Sequence, residues 1–183
     1  MFGAGGMVTG VLNKDVEDNT GGFEKAVRRV RAAATAAGKP SPATALDVFL
    51  AEVAARPLAE LRKDRKEGAV TCGLWMSRAL LFVGRFGSRL IQTPGATPTE
   101  VAKAVYNEVL RPYHGMIIAG VVSMAFSLAP SRVDFFKRMN TLEEDAREEL
   151  DAFVKHVLPV AEAFSKWFAD NVRAARPLAC RAK

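Results

Sequence analysis

Two histidines, His114 and His156, are the side chains of this sequence best suited to act as a general base near neutral pH. Neither lies beside a serine, cysteine or carboxylate in a nucleophile motif. His156 follows Lys155 in a charged segment, which indicates a surface position. His114 differs, because it stands at the mouth of the most apolar stretch, residues 115–130. With so little to build a catalytic site from, the chain is not expected to be an enzyme.

The two cysteines match no metal-binding or redox spacing, since Cys72 and Cys180 lie far apart. We interpret both as reduced thiols of a cytoplasmic protein. The N-terminus lacks the basic start and long apolar run of a signal peptide. No cofactor and no metal are expected.

Two polar pairs have helical spacing. Asp15 and Asn19 are four residues apart, and Trp75 and Arg78 are three apart, so each pair shares a face if its segment is helical. Phe82 follows about one turn after Arg78. Taken singly, each pair is ordinary, because exposed Asp and Asn are common and a tryptophan at helical spacing is usually core.

The net charge of +6 favours anionic partners such as phospholipid surfaces or nucleic acid. No aromatic residues alternate with the basic ones, as a platform for single-stranded nucleic acid would need. We therefore predict solvated helix faces with a weak attraction to anionic membranes, and no nucleic-acid partner. The basic clusters are Arg28, Arg29, Arg31, Arg62, Lys63, Arg65 and Lys66.

The length of 183 residues fits one domain, predicted over residues 1–183, with residues 1–11 and 176–183 flexible. Strand signals are nearly absent, so the predicted class is all-α. We also expect a monomer. Capping hydroxyls precede prolines at Ser41 and Thr97, and Thr97 with Glu100 and Thr141 with Glu144 have capping-box spacing. The predicted helices cover residues 14–37, 42–66 (with Pro57 inside), 68–92, 98–110, 114–129 and 141–175.

The fifth predicted helix is apolar on every side, which predicts that it is buried on all sides in a two-layer helical sandwich or a bundle. Its apolar stretch is shorter than the ~20 residues that cross a bilayer.

Three segments in order closely resemble the glycolipid transfer protein family. One has a tyrosine, Tyr106, eight residues before the histidine of a Tyr-His pair, then an apolar helix, Ala-Pro and an aromatic residue. The others resemble the family's Leu-Trp-Leu-Lys-Arg-Gly-Leu-x-Phe motif and its Asp-x-x-x-Asn element. They read YNEVLRPYHGMII with AFSLAPSRVDF (residues 106–118 and 125–135), LWMSRALLF (74–82) and LNKDVEDN (12–19).

The resemblance implies a two-layer all-α sandwich with a surface site for a lipid headgroup and an apolar tunnel for its chains. Asp15 would accept hydrogen bonds from the sphingolipid amide and a headgroup hydroxyl, and His114 would donate to the amide carbonyl. Asn19 would bond sugar hydroxyls, and Trp75 would lie against a sugar ring. Arg78, Tyr106 and Lys25 would support the site. The implied tunnel residues are Phe82, Phe86, Val121, Val122, Phe126 and Phe153.

The headgroup expected from the resemblance is a sugar. The family branch that carries ceramide-1-phosphate typically has cations at the positions of Asn19, Trp75 and Thr71, and this chain has none there. The sugar-binding branch usually has a lysine at the position of Gly22, which Lys25 could replace from one turn further on.

Two other features depart from the family: the length of the segment before Asp15 and the residue at position 116. Only fourteen residues precede Asp15, where the family usually has about thirty that form a first helix, so we expect most of that helix to be lacking. Met116 stands where the glycolipid branch often has a membrane-contacting tryptophan.

The primary hypothesis is a non-enzymatic carrier that moves a sphingolipid, most simply a glycosphingolipid, between membranes through transient peripheral contact. The alternatives are a phosphosphingolipid carrier that uses Arg78 and Lys25, a lipid-binding sensor that does not shuttle its ligand, and a hydrolase that uses Asp15 and His114.

Overall fold

The computed structural model describes residues 4–61, 68–138 and 143–172, with the backbone alone for residues 4–13, 58, 59 and 172. This part of the chain contains helices and no strand, so the predicted all-α class is confirmed. The elements are α1 (Ala4–Ala36), α2 (Ala45–Ala55), α3 (Leu58–Leu61), α4 (Ala69–Gln92), α5 (Pro98–Val109), a 3-10 turn (Arg111–Tyr113), α6 (Met116–Ser127), α7 (Arg132–Arg138) and α8 (Glu143–Val172).

Helix α1 is longer than the sequence predicted. It runs without interruption through Gly21 and Gly22, and its backbone is helical from Ala4. The predicted flexibility of residues 1–11 stays a prediction. It ends where Gly38 takes a left-handed backbone conformation with φ of 63°, which lets the Lys39 N–H donate to the carbonyl of Ala34 at 2.9 Å. The predicted flexible segment 176–183 lies outside the described residues.

The predicted second helix is in fact two helices, because a proline interrupts it. The residue before a proline is held in extended conformation, and Arg56 has φ of −144° and ψ of 139° just before Pro57. Helix α2 therefore ends at Ala55, and α3 begins at Leu58. The rest of the predicted helix, residues 62–66, lies outside the described residues.

Capping boxes begin two helices. At α5 the predicted box is confirmed, with Glu100 N–H donating to Thr97 Oγ1 at 3.2 Å and Thr97 N–H donating to Glu100 Oε2 at 2.8 Å. At α2 the predicted cap at Ser41 is wrong, because the helix is capped three residues later by Thr44. Thr44 N–H donates to Asp47 Oδ2 and Asp47 N–H donates to Thr44 Oγ1, which satisfies both free backbone donors. The third predicted box, with Thr141, lies outside the described residues.

The chain divides into two compact units. The larger unit contains the described residues 4–10, 77–138 and 143–167, and the smaller unit contains residues 11–61, 68–76 and 168–172. The core of the larger unit is built by apolar side chains of α4, α5, α7 and α8, namely Leu81, Leu90, Val101, Val105, Val109, Phe136, Ala146 and Ala161. The predicted single domain over residues 1–183 stays a prediction.

Helix α4 is held at both ends by side chains from other elements. At its start in the smaller unit, the buried carboxylate of Glu52 accepts the Val70 N–H at 2.8 Å and pairs with Arg29 at 3.0 Å. At its end in the larger unit, Arg132 donates to the carbonyls of Leu90, Thr93 and Ala96. These contacts satisfy free backbone groups at the helix ends and fix where α4 begins and stops.

The prediction that the fifth helix is buried on all sides is wrong. Helix α6 has no fully buried residue, and 86% of Met116, 66% of Ile117 and 63% of Met124 are exposed. Within the larger unit α6 packs on α5 through Phe126, whose ring meets Tyr106 edge-on at 5.6 Å between centroids. An apolar composition predicts that other elements pack against several faces of the helix, whereas the partly buried side chains of α6 lie on one face only.

Among the described residues, no single helix is long and apolar enough to span a membrane. The pair α6 and α7 passes that test together by length and composition, but it is bent by 93°.

Candidate functional site

Asp15 and Asn19 form a hydrogen-bonded pair on α1, in the smaller unit. The Asn19 side chain is 4% exposed, and its Nδ2 donates to the Asp15 carbonyl oxygen at 2.7 Å and to Asp15 Oδ2 at 3.3 Å. Since only the NH₂ end of an amide can donate to a carbonyl oxygen, these bonds fix the orientation of the amide. Asn19 Oδ1 is buried and has no hydrogen-bond partner in the described part of the chain. The pair thus carries an exposed carboxylate beside a buried acceptor.

Trp75 lies half-buried on α4, in a part of the smaller unit where the helix backbone is closely packed. A side chain at Gly73 would place its Cβ 2.5 Å from Phe49 Cζ and 3.1 Å from Phe168 Cζ. The Phe49 ring in turn packs against Phe23 and Phe168 at 5.6 and 5.2 Å between centroids. An alanine two residues before Trp75 would therefore force the Phe49 ring or the helix to shift, and the segment that carries the indole is held by a packed aromatic cluster.

His114 follows the 3-10 turn in the larger unit, and its ring is held by Tyr106. The Tyr106 hydroxyl and His114 Nδ1 are 3.0 Å apart, and the two ring centroids are 5.6 Å apart. Burial raises the pKa of the Tyr106 phenol, against the opposing effect of the Arg111 charge, so the phenol keeps its proton at neutral pH. A buried hydroxyl needs an acceptor, and Nδ1 is the one that Tyr106 has among the described residues. In the neutral imidazole the proton then stands on Nε2, which makes that nitrogen a donor.

Arg78 contacts the residue next to this histidine. Its side chain is 8% exposed, and the guanidinium carbon lies 3.5 Å from the centre of the Tyr113 ring. Arg111 in the same turn donates from Nη1 to the His114 carbonyl at 3.2 Å, while the His114 N–H donates to the Arg111 carbonyl at 3.3 Å. The backbone and ring of His114 are therefore fixed by separate contacts.

The residues proposed for an apolar tunnel occupy different environments. Phe82 and Phe86 stack at 6.3 Å between centroids and pack against the core of the larger unit. Phe126 and Val122 are half-buried on α6. The remaining two are more exposed, with 40% of Val121 and 41% of Phe153 accessible.

Lys25 and His156 are both exposed. Lys25 lies on α1, six residues after Asn19, and His156 lies on α8, as predicted.

Within the described part of the chain, no group of three or more His, Cys, Asp or Glu side chains is arranged to hold a metal ion. A small pocket of the larger unit lies between other elements, lined by Leu90, Ile91, Arg132, Phe136, Glu143, Arg147 and Leu150.

Sequence reasoning missed the structural role of one residue in each unit. Tyr113 was part of the Tyr-His pair but had no role of its own, because nothing in its spacing indicates that it faces Arg78. Glu52 looked like an ordinary helix-surface carboxylate, yet it is 3% exposed and caps α4. A signal for Glu52 was present in its apolar surroundings, between Ala51 and Val53.

Comparisons with known proteins agree on one family. A family model described as glycolipid transfer protein (GLTP) matches residues 1–141. The chain is 24% identical over 110 residues to glycolipid transfer protein 3 of Arabidopsis thaliana, covering 55% of this chain and 47% of that protein. It is 30% identical over 102 residues to human pleckstrin homology domain-containing family A member 8, covering 56% of this chain and 18% of the relative. The chain thus spans less than half the length of these curated relatives.

Solved structures show the same fold. A fungal glycolipid transfer protein, HET-C2, superposes with a TM-score of 0.61 at 22% identity, covering 91% of this chain and 81% of that one. A mutant of Arabidopsis ACD11 (accelerated-cell-death 11), complexed with ceramide-1-phosphate, superposes with a TM-score of 0.54 at 18% identity, covering 85% and 96%. Both likenesses confirm the predicted all-α fold of the glycolipid transfer protein type. Since the family model covers well over half of the sequence, the chain belongs to the glycolipid transfer protein family.

Proposed function

We propose that this protein binds a sphingolipid and carries it between membranes without altering it covalently. The observation that carries the proposal is the hydrogen bond between the Tyr106 hydroxyl and His114 Nδ1 at 3.0 Å. It places the proton of the neutral ring on Nε2, and this is the tautomer that the family's donor role toward the carbonyl oxygen of a lipid amide requires. By the family resemblance, the exposed carboxylate of Asp15, which belongs to the smaller unit, would accept a hydrogen bond from an amide N–H. Every ceramide-based lipid contains both an amide carbonyl and an amide N–H, so each unit has a residue suited to one of these groups.

The headgroup favoured by this chain is a neutral sugar. The Nδ2 of Asn19 is engaged by Asp15, and the buried Oδ1 can only accept a hydrogen bond. An acceptor suits the hydroxyl of a sugar, whereas a phosphate monoester requires charge-assisted donors. The half-buried indole of Trp75 offers a flat apolar surface for a sugar ring, which again favours glycosphingolipids.

The apolar chains of the lipid would enter the interior beside Phe82, Phe86, Val122 and Phe126. Burial of apolar surface contributes about 25 cal/mol per Å², so chain burial holds the lipid in water. It contributes little to extraction, because the chains are already out of water in a bilayer. The polar contacts would therefore select which lipid is moved.

Helix α6 is the part of the molecule best suited to transient membrane contact. It has no charged residue, and its exposed apolar side chains include Met116, Ile117 and Met124. A contiguous apolar surface on a protein that must reach a bilayer favours an interfacial role. The net charge of +6 supports the same proposal of peripheral contact, because it would attract the protein to anionic leaflets such as those that face the cytoplasm.

The first test is to incubate the full chain with a total lipid extract, re-isolate it and identify the bound lipids by mass spectrometry. Enrichment of hexosylceramides is expected. Recovery of ceramide-1-phosphate would overturn the sugar preference, in line with the ligand of the ACD11 structure. Recovery of no lipid, or of a cleaved product, would overturn the carrier proposal.

Transfer between two vesicle populations then separates a carrier from a sensor. Asp15→Ala and His114→Ala should each lower the transfer rate of hexosylceramide at least about tenfold, the effect of losing one charge-assisted or buried hydrogen bond. Glu17→Ala and His156→Ala are matched controls, because they remove the same kinds of side chain: Glu17 is an exposed carboxylate on α1 like Asp15, and His156 is an exposed histidine on α8. Full transfer by both site variants would contradict the site, and binding without transfer would indicate a sensor.

A further inference from the structure

We propose that Arg78 and Tyr113 form a positioning pair that fixes His114, so that Arg78 serves the site through Tyr113 and does not bind the headgroup. This inference rests on the proposed function, because it assigns His114 a ligand-binding role. All the residues concerned belong to the larger unit.

Arg78 is the buried member of the pair. Arg78 is 8% exposed on α4, and the neighbouring turn of that helix contributes Leu81 to the core of the larger unit. A guanidinium held among packed side chains is costly unless its charge is balanced, and the face of an aromatic ring does this in part. The distance of 3.5 Å from its central carbon to the centre of the Tyr113 ring is that of direct stacking.

The other partner belongs to the turn that carries the histidine. Tyr113 ends the 3-10 turn, its N–H donates to the Leu110 carbonyl at 3.0 Å, and His114 is the next residue. A displacement of the Tyr113 ring would therefore move the backbone of His114 directly. It would also change the 3.0 Å distance from His114 Nδ1 to the buried Tyr106 hydroxyl.

The geometry accounts for arginine at this position. The planar guanidinium stacks on an aromatic face, whereas the compact ammonium of lysine has no flat surface to do so. If Arg78 acted only as a donor to a headgroup, lysine would leave the His114 ring of the lipid-free protein unchanged, whatever it did to transfer. If it acts by stacking, lysine should behave like the loss of the ring.

Three variants of the full chain test the pair. Tyr113→Phe keeps the ring face, Tyr113→Leu removes it, and Arg78→Lys keeps the charge without the plane. The first readout is the ¹⁵N NMR signals of the His114 ring, with His156 on α8 as internal reference for a folded protein. The second is transfer of hexosylceramide between phosphatidylcholine vesicles.

We expect Tyr113→Leu and Arg78→Lys to shift the His114 ring signals and to lower the transfer rate about tenfold, as loss of a desolvated cation–π contact predicts. Tyr113→Phe should match the wild type in both readouts. Unchanged His114 signals in Arg78→Lys, or in a folded Tyr113→Leu, would overturn the positioning role. The NMR readout needs no lipid, so a wild type that transfers nothing would contradict the proposed function and leave this test intact.

Discussion

At the scale of single residues, the site of this protein depends on which atom of each polar side chain is already engaged. Asn19 commits its NH₂ group to Asp15, and His114 commits Nδ1 to Tyr106. The role that each side chain could take in the proposed lipid binding is therefore narrower than its residue type suggests: an acceptor for Asn19 in the smaller unit and a donor for His114 in the larger unit. In that role, each committed side chain would be more selective than the same residue free to rotate.

Tyr106 gives this organisation a measurable pH dependence. Its pKa is raised by burial, so the folded state holds the phenolic proton more tightly than the unfolded chain does. The contribution to stability is fully present below the unfolded pKa of about 10 and is lost as pH rises through the higher folded value.

We therefore predict that Tyr106→Phe lowers the free energy of unfolding by about 1 kcal/mol at pH 7, through loss of a buried hydrogen bond. Above pH 10 the variant should lose stability less steeply than the wild type. Urea denaturation followed by circular dichroism between pH 7 and about 11 measures both effects. Tyr113→Phe is the control and should retain the wild-type slope, because Tyr106 is still present. Equal slopes for wild type and Tyr106→Phe would contradict the prediction.

Residue pairs could be predicted from the sequence only where they follow helical periodicity. The pair Asp15 and Asn19 has i, i+4 spacing, which places both on one face of α1. Tyr106 and His114 span the end of α5 and the 3-10 turn, so no period relates them and only the family resemblance associated them. The stacking of Arg78 on Tyr113 joins residues from two elements, and nothing local to either one specifies it.

At the scale of elements, capping residues and prolines predicted most helix boundaries. The predicted ranges 68–92 and 98–110 differ from α4 and α5 by one residue at one end. The prediction failed at Ser41, where a proline signal was preferred to the better capping box of Thr44 and Asp47. It failed again for the burial of α6, since an apolar sequence does not specify which neighbours a helix finds.

Two glycines of the smaller unit, Gly73 on α4 and Gly21 on α1, differ in how much space an added methyl group would have. A Cβ at Gly73 would lie 2.5 Å from the Phe49 ring, whereas a Cβ at Gly21 on α1 meets nothing within 4 Å. Alanine favours a helix over glycine by about 0.5–1 kcal/mol, and overpacking a core costs about 1–3 kcal/mol.

Gly73→Ala should therefore lower the free energy of unfolding by about 1–2 kcal/mol, because the clash exceeds the gain in helix propensity. Gly21→Ala should raise it by about 0.5–1 kcal/mol and serves as the matched control. Chemical denaturation of both variants gives the comparison. A stabilised Gly73→Ala would show that the aromatic cluster around Phe49 yields to a methyl group.

At the scale of the whole molecule, the proposed membrane contact has two contributions, one from charge and one from apolar surface. A net charge of +6 would attract the chain to anionic leaflets, but this attraction weakens with salt and selects no orientation. In the proposed membrane contact, the exposed apolar side chains of α6 would set the orientation, because 86% of Met116, 66% of Ile117 and 63% of Met124 are exposed on this one uncharged helix. Met116 replaces the tryptophan that the family resemblance suggested, so insertion here would depend on flexible aliphatic side chains along several turns.

The matched pair Ile117→Glu and Ser123→Glu separates these two contributions. Both variants add one negative charge to α6, but 66% of Ile117 is exposed apolar surface that would enter the bilayer, whereas Ser123 is already polar. Burying an isoleucine contributes about 1.5–3 kcal/mol, so Ile117→Glu should reduce partition onto anionic vesicles at least about tenfold, measured by co-sedimentation. Ser123→Glu should reduce this partition far less. Both variants should bind the same lipid as the wild type, because in the proposed cycle α6 contacts the membrane before the headgroup is selected. An equal reduction in both variants would mean that charge alone brings the protein to the membrane and that the apolar face of α6 serves another partner.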